Sequence, residues 1–132
     1  MTMTVEPPKL AEMLLEAWKV RERAIIFGKT KVGCAVVDED GNVHVGCNVE
    51  HRFRSHDVHA EVNAITTMVS SGGNRVLAIA IVADRERFTP CGACMDWIMQ
   101  FGGGDCVVAF QNKTSGDVLQ YRATELMPYY PH

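Results

Sequence analysis

Two short motifs constrain this chain more than any other feature: His59-Ala60-Glu61 and, later, Pro90-Cys91-Gly92-Ala93-Cys94. Imidazole nitrogen and cysteine sulfur are ligands that Zn²⁺ prefers in proteins. His59, Cys91 and Cys94 supply three such ligands, and a zinc ion with three protein ligands keeps its fourth position for water or hydroxide. A fold that satisfies both motifs must bring two distant segments to one point. The sequence therefore predicts one catalytic Zn²⁺ per chain.

Glu61 separates a catalytic interpretation of these motifs from a structural one. Its carboxylate is not needed as a ligand, and it is placed to move protons for the water on the metal. The ordered pattern His-x-Glu followed by Pro-Cys-x-x-Cys matches the described signature of the zinc deaminases. A closed structural site would need a fourth protein donor, for which His56 is the candidate. We therefore expect Glu61 to be the catalytic residue, because a zinc protein without turnover has no use for it.

Both motifs are predicted to lie where a loop enters a helix. Cys91 and Cys94 are three residues apart, so they can lie on one side of an opening turn. The free amide groups of such a turn also favour thiolate over thiol. His59 and Glu61 are two residues apart and would not share a face of a regular helix. They can reach one site only if the helix is just starting, with Asp57 as its predicted N-cap.

Length and composition narrow the class of protein. The chain has 132 residues, which predicts a single domain over residues 1–132, and its net charge of −3 gives no reason to expect a nucleic-acid polymer as partner. No apolar run approaches the ~18 residues that a membrane span needs, and Met1–Pro8 is no secretory signal. We therefore expect a cytoplasmic protein without a membrane partner. Five cysteines, an odd number, argue against a fully paired disulfide framework; Cys34, Cys47 and Cys106 are predicted to be buried on strands.

Periodicity and turn signals predict four helices and five strands. The predicted elements, in chain order, are a helix from Pro7-Pro8 that Gly28 ends, strand 32–38, a strand from 43, helix 58–71, strand 76–83, helix 90–102, strands 106–110 and 118–121, and a short helix 123–127. The apolar stripe of helix 58–71 is predicted to be Val62, Ile65 and Val69. That of helix 90–102 is predicted to be Cys94, Trp97, Ile98 and Phe101. The link 112–117 is too short for a parallel crossover, so the last two strands should be antiparallel. The predicted fold is α/β, with a mixed five-stranded sheet, an antiparallel last strand and helices on both faces.

At these residues the chain resembles the cytidine deaminase family over nearly its full length, which implies the three-layer α/β/α fold of that family. Gly46-Cys47-Asn48-Val49-Glu50 is similar to the family's Gly-x-Asn-x-Glu strand, and Glu125-Leu126-Met127-Pro128 is similar to its closing Glu-Leu-Leu-Pro. The resemblance implies that Asn48 and Glu50 bind the ribose 3′-hydroxyl and that the Ala60 amide meets the pyrimidine 2-carbonyl. A strand places Asn48 and Glu50 on one face, which is also compatible with two outward-facing residues.

The resemblance also implies the remaining roles of the site and the assembly. It implies zinc ligation by His59, Cys91 and Cys94, with Glu61 as the proton shuttle. For a chain this short, it further implies a homotetramer whose active sites are completed across subunit boundaries.

Several positions depart from the family pattern. Many small members have cysteine at the place of His59 and arginine at the place of Val62. Three thiolates carry surplus negative charge that an arginine offsets, so these two differences compensate each other. Thr30 stands at the position of an aromatic residue that helps to hold the base in the family. Met95-Asp96 directly follows Cys94, where the family usually has Arg-Gln after its Cys-Gly-x-Cys motif. The loop His51-Arg52-Phe53-Arg54 also differs, and its arginines could meet a phosphate or carboxylate of the substrate, the alternative being a solvated loop or a subunit contact.

The predicted activity is the zinc-dependent hydrolytic deamination of cytidine, deoxycytidine or a close cytosine nucleoside, with release of ammonia. Deamination of a modified cytosine nucleoside, as in the blasticidin S deaminases, is the alternative that the altered loop favours; the retained Asn48-x-Glu50 favours plain nucleosides. A tRNA or other nucleic-acid deaminase is a further alternative. The net acidity and the predicted hairpin between the last two strands oppose it.

Overall fold

The computed structural model describes residues 6–86 and 88–131. Its elements, in chain order, are α1 (Pro7–Arg21), β1 (Val32–Asp38), β2 (Val43–Cys47), a 3₁₀ turn (Arg54–His56), α2 (Ala60–Ser70), β3 (Val76–Ala83), α3 (Gly92–Gly102), β4 (Val107–Gln111), β5 (Val118–Arg122) and α4 (Ala123–Leu126). Within these described ranges, no helix combines the length and the apolar character needed to cross a membrane.

The five strands form one mixed sheet in the order β2-β1-β3-β4-β5. Strand β1 pairs antiparallel with both β2 and β3, β3 pairs parallel with β4, and β4 pairs antiparallel with β5. The antiparallel last pair confirms the prediction made from the short link 112–117. Strand β3 lies at the centre of the sheet, and its continuous apolar sequence follows from having both faces covered.

Each face of the sheet carries its own apolar cluster. On one face, α1 packs through Leu10, Met13 and Ala17 against small strand residues, among them Ala35, Ala78, Ala80 and Ala109. On the other face, α2 and α3 pack on the sheet through larger side chains, among them Ile65, Met68 and Ile98 on the helices and Ile79 and Ile81 on β3. The predicted three-layer α/β/α arrangement is therefore confirmed, with α2 and α3 side by side on one face.

Two glycines on neighbouring strands let the helices approach the sheet backbone closely. A Cβ atom on Gly33 would lie 1.9 Å from the carbonyl oxygen of Ala17 in α1. A Cβ atom on Gly46 would lie 2.3 Å from the backbone nitrogen of Ala64 and 2.8 Å from the carbonyl oxygen of Ala60, both in α2. Contacts this short have no room for any side chain, so Gly46 determines how deeply the first turns of α2 sit on β2.

The predicted end of the first helix at Gly28 is wrong, because α1 ends at Arg21. The chain beyond it pairs with the segment that follows β2: the Ile25 amide donates to the Asn48 carbonyl at 3.1 Å, and the Glu50 amide donates to the Ile25 carbonyl at 2.7 Å. These backbone hydrogen bonds take residues near Ile25 out of a helix. They also bring segment 25–32 beside the end of β2.

The predicted apolar stripes of the two later helices are only partly correct. In α2, Ile65 is buried but Val69 is 48% exposed, and the buried face is formed by Ala60, Glu61, Ala64, Ile65 and Met68. In α3 the buried residues are Cys94, Met95, Ile98, Met99 and Gly102, while Trp97 is exposed. The buried face of each helix is therefore shifted by about one residue from the predicted stripe.

We expect Gly46→Ala to destabilise the fold by at least the ~1–3 kcal/mol typical of overpacking, because the new methyl group would meet helix backbone rather than a flexible side chain. Chemical denaturation measures the loss of unfolding free energy. Gly92→Ala is the matched control, since a Cβ atom there meets nothing within 4 Å. Equal stability of the two variants would contradict the close packing of α2 on β2.

Candidate active site

Three candidate zinc ligands meet where α2 and α3 begin. His59 is the N-cap residue of α2 and Cys91 is the N-cap residue of α3, and Cys94 lies in the first turn of α3. The nitrogen Nδ1 of His59 lies 3.2 Å from Cys94 Sγ and 3.4 Å from Cys91 Sγ. All three ligand atoms lie within 4.8 Å of one another. The structure thus brings the two motifs to one point, as the sequence predicts.

The donor set fits a tetrahedral zinc ion. Zn–S bonds of about 2.3 Å and Zn–N bonds of about 2.0–2.1 Å separate nitrogen and sulfur ligands on a tetrahedron by about 3.5 Å. The nitrogen–sulfur distances of 3.2 and 3.4 Å are close to this value. Cys94 is buried, whereas His59 and Cys91 are exposed to solvent. This exposure leaves room for a water molecule as the fourth ligand. Among the described residues, the cluster contains these three donors, and His56 is not part of it.

Glu61 is a buried carboxylate beside these donors. It is the second residue of α2, is only 4% exposed and lines the cavity in front of the ligands. Burial raises the pKa of Glu61, against the lowering effects of its own backbone hydrogen bond, of Cys94 and of His59. Burial also raises the pKa of the Cys94 thiol, and the nearby Glu61 charge raises it further. Two such acids are ionised together most readily beside a cation, which agrees with a metal at this point.

The predicted N-cap role of Asp57 is wrong. Val58 is still extended and exchanges two backbone hydrogen bonds with Val49, at 2.8 and 2.9 Å, so the helix can begin only after it. The Asp57 carboxylate instead accepts from the His51 amide at 2.7 Å and pairs with Arg54 at 2.9 Å. Helix α2 starts at Ala60 without a side-chain cap. His59 and Glu61 can nevertheless reach one site, because both lie at the very start of the helix.

A cavity of about 460 Å³ opens in front of the ligands. This volume lies within the roughly 300–1,000 Å³ typical of small-molecule sites. Its walls come from three parts of the chain: residues 30–32, residues 48–61, and Arg85 with residues 88–91. All the residues that we predict to act on the substrate line it together: Asn48, Glu50, Ala60 and Glu61. Ala60 is the first residue of α2, where a backbone amide has no acceptor within the helix.

Asn48 and Glu50 are not outward-facing, solvated residues. Asn48 is buried, accepts from the Val32 amide at 2.8 Å and donates to the Thr30 carbonyl at 2.9 Å. The Glu50 oxygen Oε1 accepts from the amides of Phe27 and Gly28 at 2.6 and 2.8 Å. Both side chains therefore hold the backbone of residues 27–32 against the end of β2 while they line the cavity.

Sequence reasoning missed the third wall of the cavity. Arg85, Phe88 and Thr89 line it between β3 and the zinc motif of α3. Within the described chain, Phe88 is the only phenylalanine, tyrosine or tryptophan among the residues that line the cavity. The available signal was an aromatic residue two positions before Pro90. Asn63 was also missed: its side chain accepts from the Cys47 amide at 3.0 Å and ties α2 to β2.

Comparison with known proteins agrees with this geometry. Residues 8–110 match the family model described as the cytidine and deoxycytidylate deaminase zinc-binding region. The chain belongs to this family. His59, Cys91 and Cys94 are the zinc site of this zinc-binding deaminase, and the resemblance stated from the sequence is confirmed.

Relatives by sequence lead to the same family. The chain is 36% identical over 119 residues to a cytidine deaminase of Sporosarcina psychrophila, covering 89% of this chain and 87% of the relative. It is 34% identical over 118 residues to a cytidine deaminase of Halalkalibacterium halodurans, covering 88% of this chain and 89% of the relative.

Relatives by structure confirm the fold. The crystal structure of a cytidine deaminase from Mycobacterium tuberculosis superposes with a TM-score of 0.81 at 26% identity, covering 96% of this chain and 97% of the other. The structure of a cytidine deaminase from Burkholderia pseudomallei superposes with a TM-score of 0.82 at 30% identity, covering 90% of this chain and 96% of the other.

We expect His59→Ala and Cys94→Ser each to lose most of the bound zinc, because each removes one of three protein ligands. Elemental analysis of the purified protein measures the stoichiometry. Cys106→Ala is the matched control, because Cys106 is a free buried cysteine outside the cluster, and it should keep one zinc per chain. Zinc retained in His59→Ala, or lost equally in the control, would contradict the ligand set.

Proposed function

We propose that this protein catalyses the zinc-dependent hydrolytic deamination of cytidine or deoxycytidine, giving the uridine form and ammonia. One observation carries the proposal: a buried carboxylate, Glu61, lies beside a three-donor zinc site at the bottom of a cavity of nucleoside size. The cytidine deaminases among the relatives support the substrate class.

Glu61 is the residue that moves protons in this proposal. Zinc, when bound, lowers the pKa of a water molecule and so supplies the nucleophile. Glu61 would accept one proton of the attacking water and deliver it to the ring nitrogen N3, and it would then carry the second proton of that water to the amino group, which leaves as ammonia. Burial raises the pKa of Glu61, which makes its carboxylate a better proton acceptor than an exposed one.

The substrate contacts follow from the lining of the cavity. We propose that Asn48 and Glu50 bind the 3′-hydroxyl of the sugar and that the Ala60 amide binds the 2-carbonyl of the pyrimidine. Their position on the cavity wall, together with the free amide expected at the start of α2, supports these roles. A preference for cytidine over 3′-deoxycytidine would test the sugar contact.

We also propose a homotetramer with active sites completed across subunit boundaries. Exposed apolar side chains lie close to the mouth of the cavity, and such patches are typical of interfaces. Ile25, Val49 and Val58 are exposed and adjacent through backbone pairing, and Phe27 and Phe53 are exposed on the flanking loops. A mass of four chains in light scattering is expected, and a stable monomer at assay concentrations would contradict this part of the proposal.

The chain is proposed to act as one catalytic domain over residues 1–132 and to work in the cytoplasm. The five cysteines are all free, as is typical of proteins in a reducing compartment. Cell fractionation tests the location. Recovery of the protein with paired cysteines from an oxidising compartment would contradict it.

We expect Glu61→Gln to lower the rate of deamination by roughly 10²–10⁴-fold while zinc stays bound, because the amide keeps the shape of the side chain but cannot carry the proton. Loss of the cytosine chromophore in the ultraviolet measures the rate on cytidine and deoxycytidine. Cytidine 5′-monophosphate and blasticidin S complete the panel and separate nucleosides from nucleotides and modified nucleosides.

Glu12→Gln serves as the control for this experiment. Glu12 is half exposed on α1, on the other face of the sheet from the zinc site, so full activity is expected. A folded, zinc-loaded Glu61→Gln variant with the activity of the control would show that the proposed mechanism is wrong.

A further inference from the structure

Two arginines of the loop after β2, Arg52 and Arg54, are two positions apart and differ in their surroundings. Within residues 6–86 and 88–131, the Arg52 side chain makes no hydrogen bond or ion pair, and it does not line the cavity. The guanidinium of Arg54, in contrast, lines the cavity and contacts two carboxylates, with Nη2 3.2 Å from Glu50 Oε2 and Nε 2.9 Å from Asp57 Oδ2. Only Arg54 is therefore placed to influence the site.

Arg54 completes the binding of the Glu50 carboxylate. The Glu50 side chain is 11% exposed, and its Oε1 is held by two backbone amides of segment 27–28. Its second oxygen, Oε2, pairs with Arg54. Within the described chain, Arg54 is thus the group that restrains Oε2, and without it the carboxylate could pivot more freely about the two hydrogen bonds that hold Oε1. A carboxylate that is held on both oxygens is oriented before the ligand arrives, which lowers the cost of binding.

Arg54 also connects two backbone segments that form one wall of the cavity. Asp57 accepts from the His51 amide at 2.7 Å and from Arg54 at 2.9 Å, and it lies two residues before the zinc ligand His59. The hydrogen bond to Asp57 raises the pKa of Arg54, and the charges of Asp57 and Glu50 raise it further. The guanidinium therefore links the end of β2 to the approach to α2.

The two carboxylates beside Arg54 argue against Arg54 binding an anionic group of the substrate. One guanidinium between two carboxylates leaves this trio with a net charge of −1 when all three are ionised. A phosphate would have to displace Glu50 or Asp57 from Arg54 or meet their negative charge. A neutral sugar hydroxyl, in contrast, can donate to a carboxylate that is already positioned.

We propose that Arg54 is a positioning residue that orients Glu50 toward the sugar hydroxyl of the nucleoside and does not bind a phosphate. The proposal rests on the proposed function, because it assumes a nucleoside in the cavity. It deepens that function by naming the residue that aligns the sugar-binding carboxylate.

The test is a comparison of Arg54→Met and Arg54→Lys with the wild type on cytidine, 3′-deoxycytidine and cytidine 5′-monophosphate. For Arg54→Met on cytidine, we expect kcat/KM to fall on the order of tenfold, mainly through KM. On 3′-deoxycytidine the same variant should lose little, because the hydroxyl that Glu50 binds is already missing. Arg54→Lys keeps the charge but not the fork that bridges two carboxylates, so it should show a smaller loss with the same substrate pattern.

Arg52→Met is the matched control, with the same change of charge in the same loop and no ion pair removed. It should retain wild-type kinetics on all three substrates. Thermal unfolding and zinc content of each variant show whether a loss reflects the fold. If Arg54→Met does not fold, Arg54→Lys provides the same comparison between the two nucleosides.

Several outcomes would overturn the proposal. Equal losses on cytidine and 3′-deoxycytidine would show that Arg54 does not act through the sugar hydroxyl. A larger loss on the 5′-monophosphate than on cytidine would show that Arg54 binds the phosphate. In both cases an active wild type leaves the proposed deaminase function intact. A folded, zinc-loaded wild type that deaminates none of the three substrates would instead overturn that function, and the role of Arg54 with it.

Discussion

The site depends on one structural contact: the first turns of α2 and α3 lie next to each other on the same face of the sheet. Helix α2 follows the edge strand β2, and α3 follows the central strand β3. Each helix places a ligand at its N-cap, His59 in one and Cys91 in the other. The close approach at Gly46 and the hydrogen bond from the Cys47 amide to Asn63 hold α2 in this position. Without that contact, the two motifs would remain separate and could not share an ion.

The charges of the ligands explain how this donor set can bind zinc next to a buried carboxylate. Burial raises the pKa of both Glu61 and Cys94, so the polypeptide alone resists ionising them. A divalent cation with one imidazole and two thiolates forms a neutral group, and it lowers the cost of the nearby Glu61 charge. A third thiolate would add a negative charge that needs a cationic neighbour. With His59 as the third ligand no such neighbour is needed, which agrees with the neutral Val62 in the first turn of α2.

Several side chains in the cavity wall formed by residues 48–61 accept hydrogen bonds from backbone amides and so hold neighbouring segments in place. Asn48 and Glu50 hold segment 27–32, and Asp57 and Arg54 hold the loop that leads to α2. These hydrogen bonds place the polar groups before any substrate is present, and a site that is ordered in advance loses less entropy on binding. The same wall carries exposed apolar side chains on its outer side, which is why we relate it to subunit assembly.

The amino-acid sequence by itself determined the zinc ligands and the antiparallel direction of the last two strands, and it indicated Glu61 as the proposed proton carrier. These follow from local facts: residue types at fixed spacing around His59 and Cys91, and a link too short for a crossover. The tertiary structure alone decided where α2 begins, what Asp57 contacts and which of the two loop arginines lines the cavity. Val58 stays extended because it pairs with Val49, and Arg54 meets Glu50 because the loop 51–57 folds back on the end of β2. Helix starts and ion pairs of this kind depend on contacts with other segments, so local spacing does not encode them.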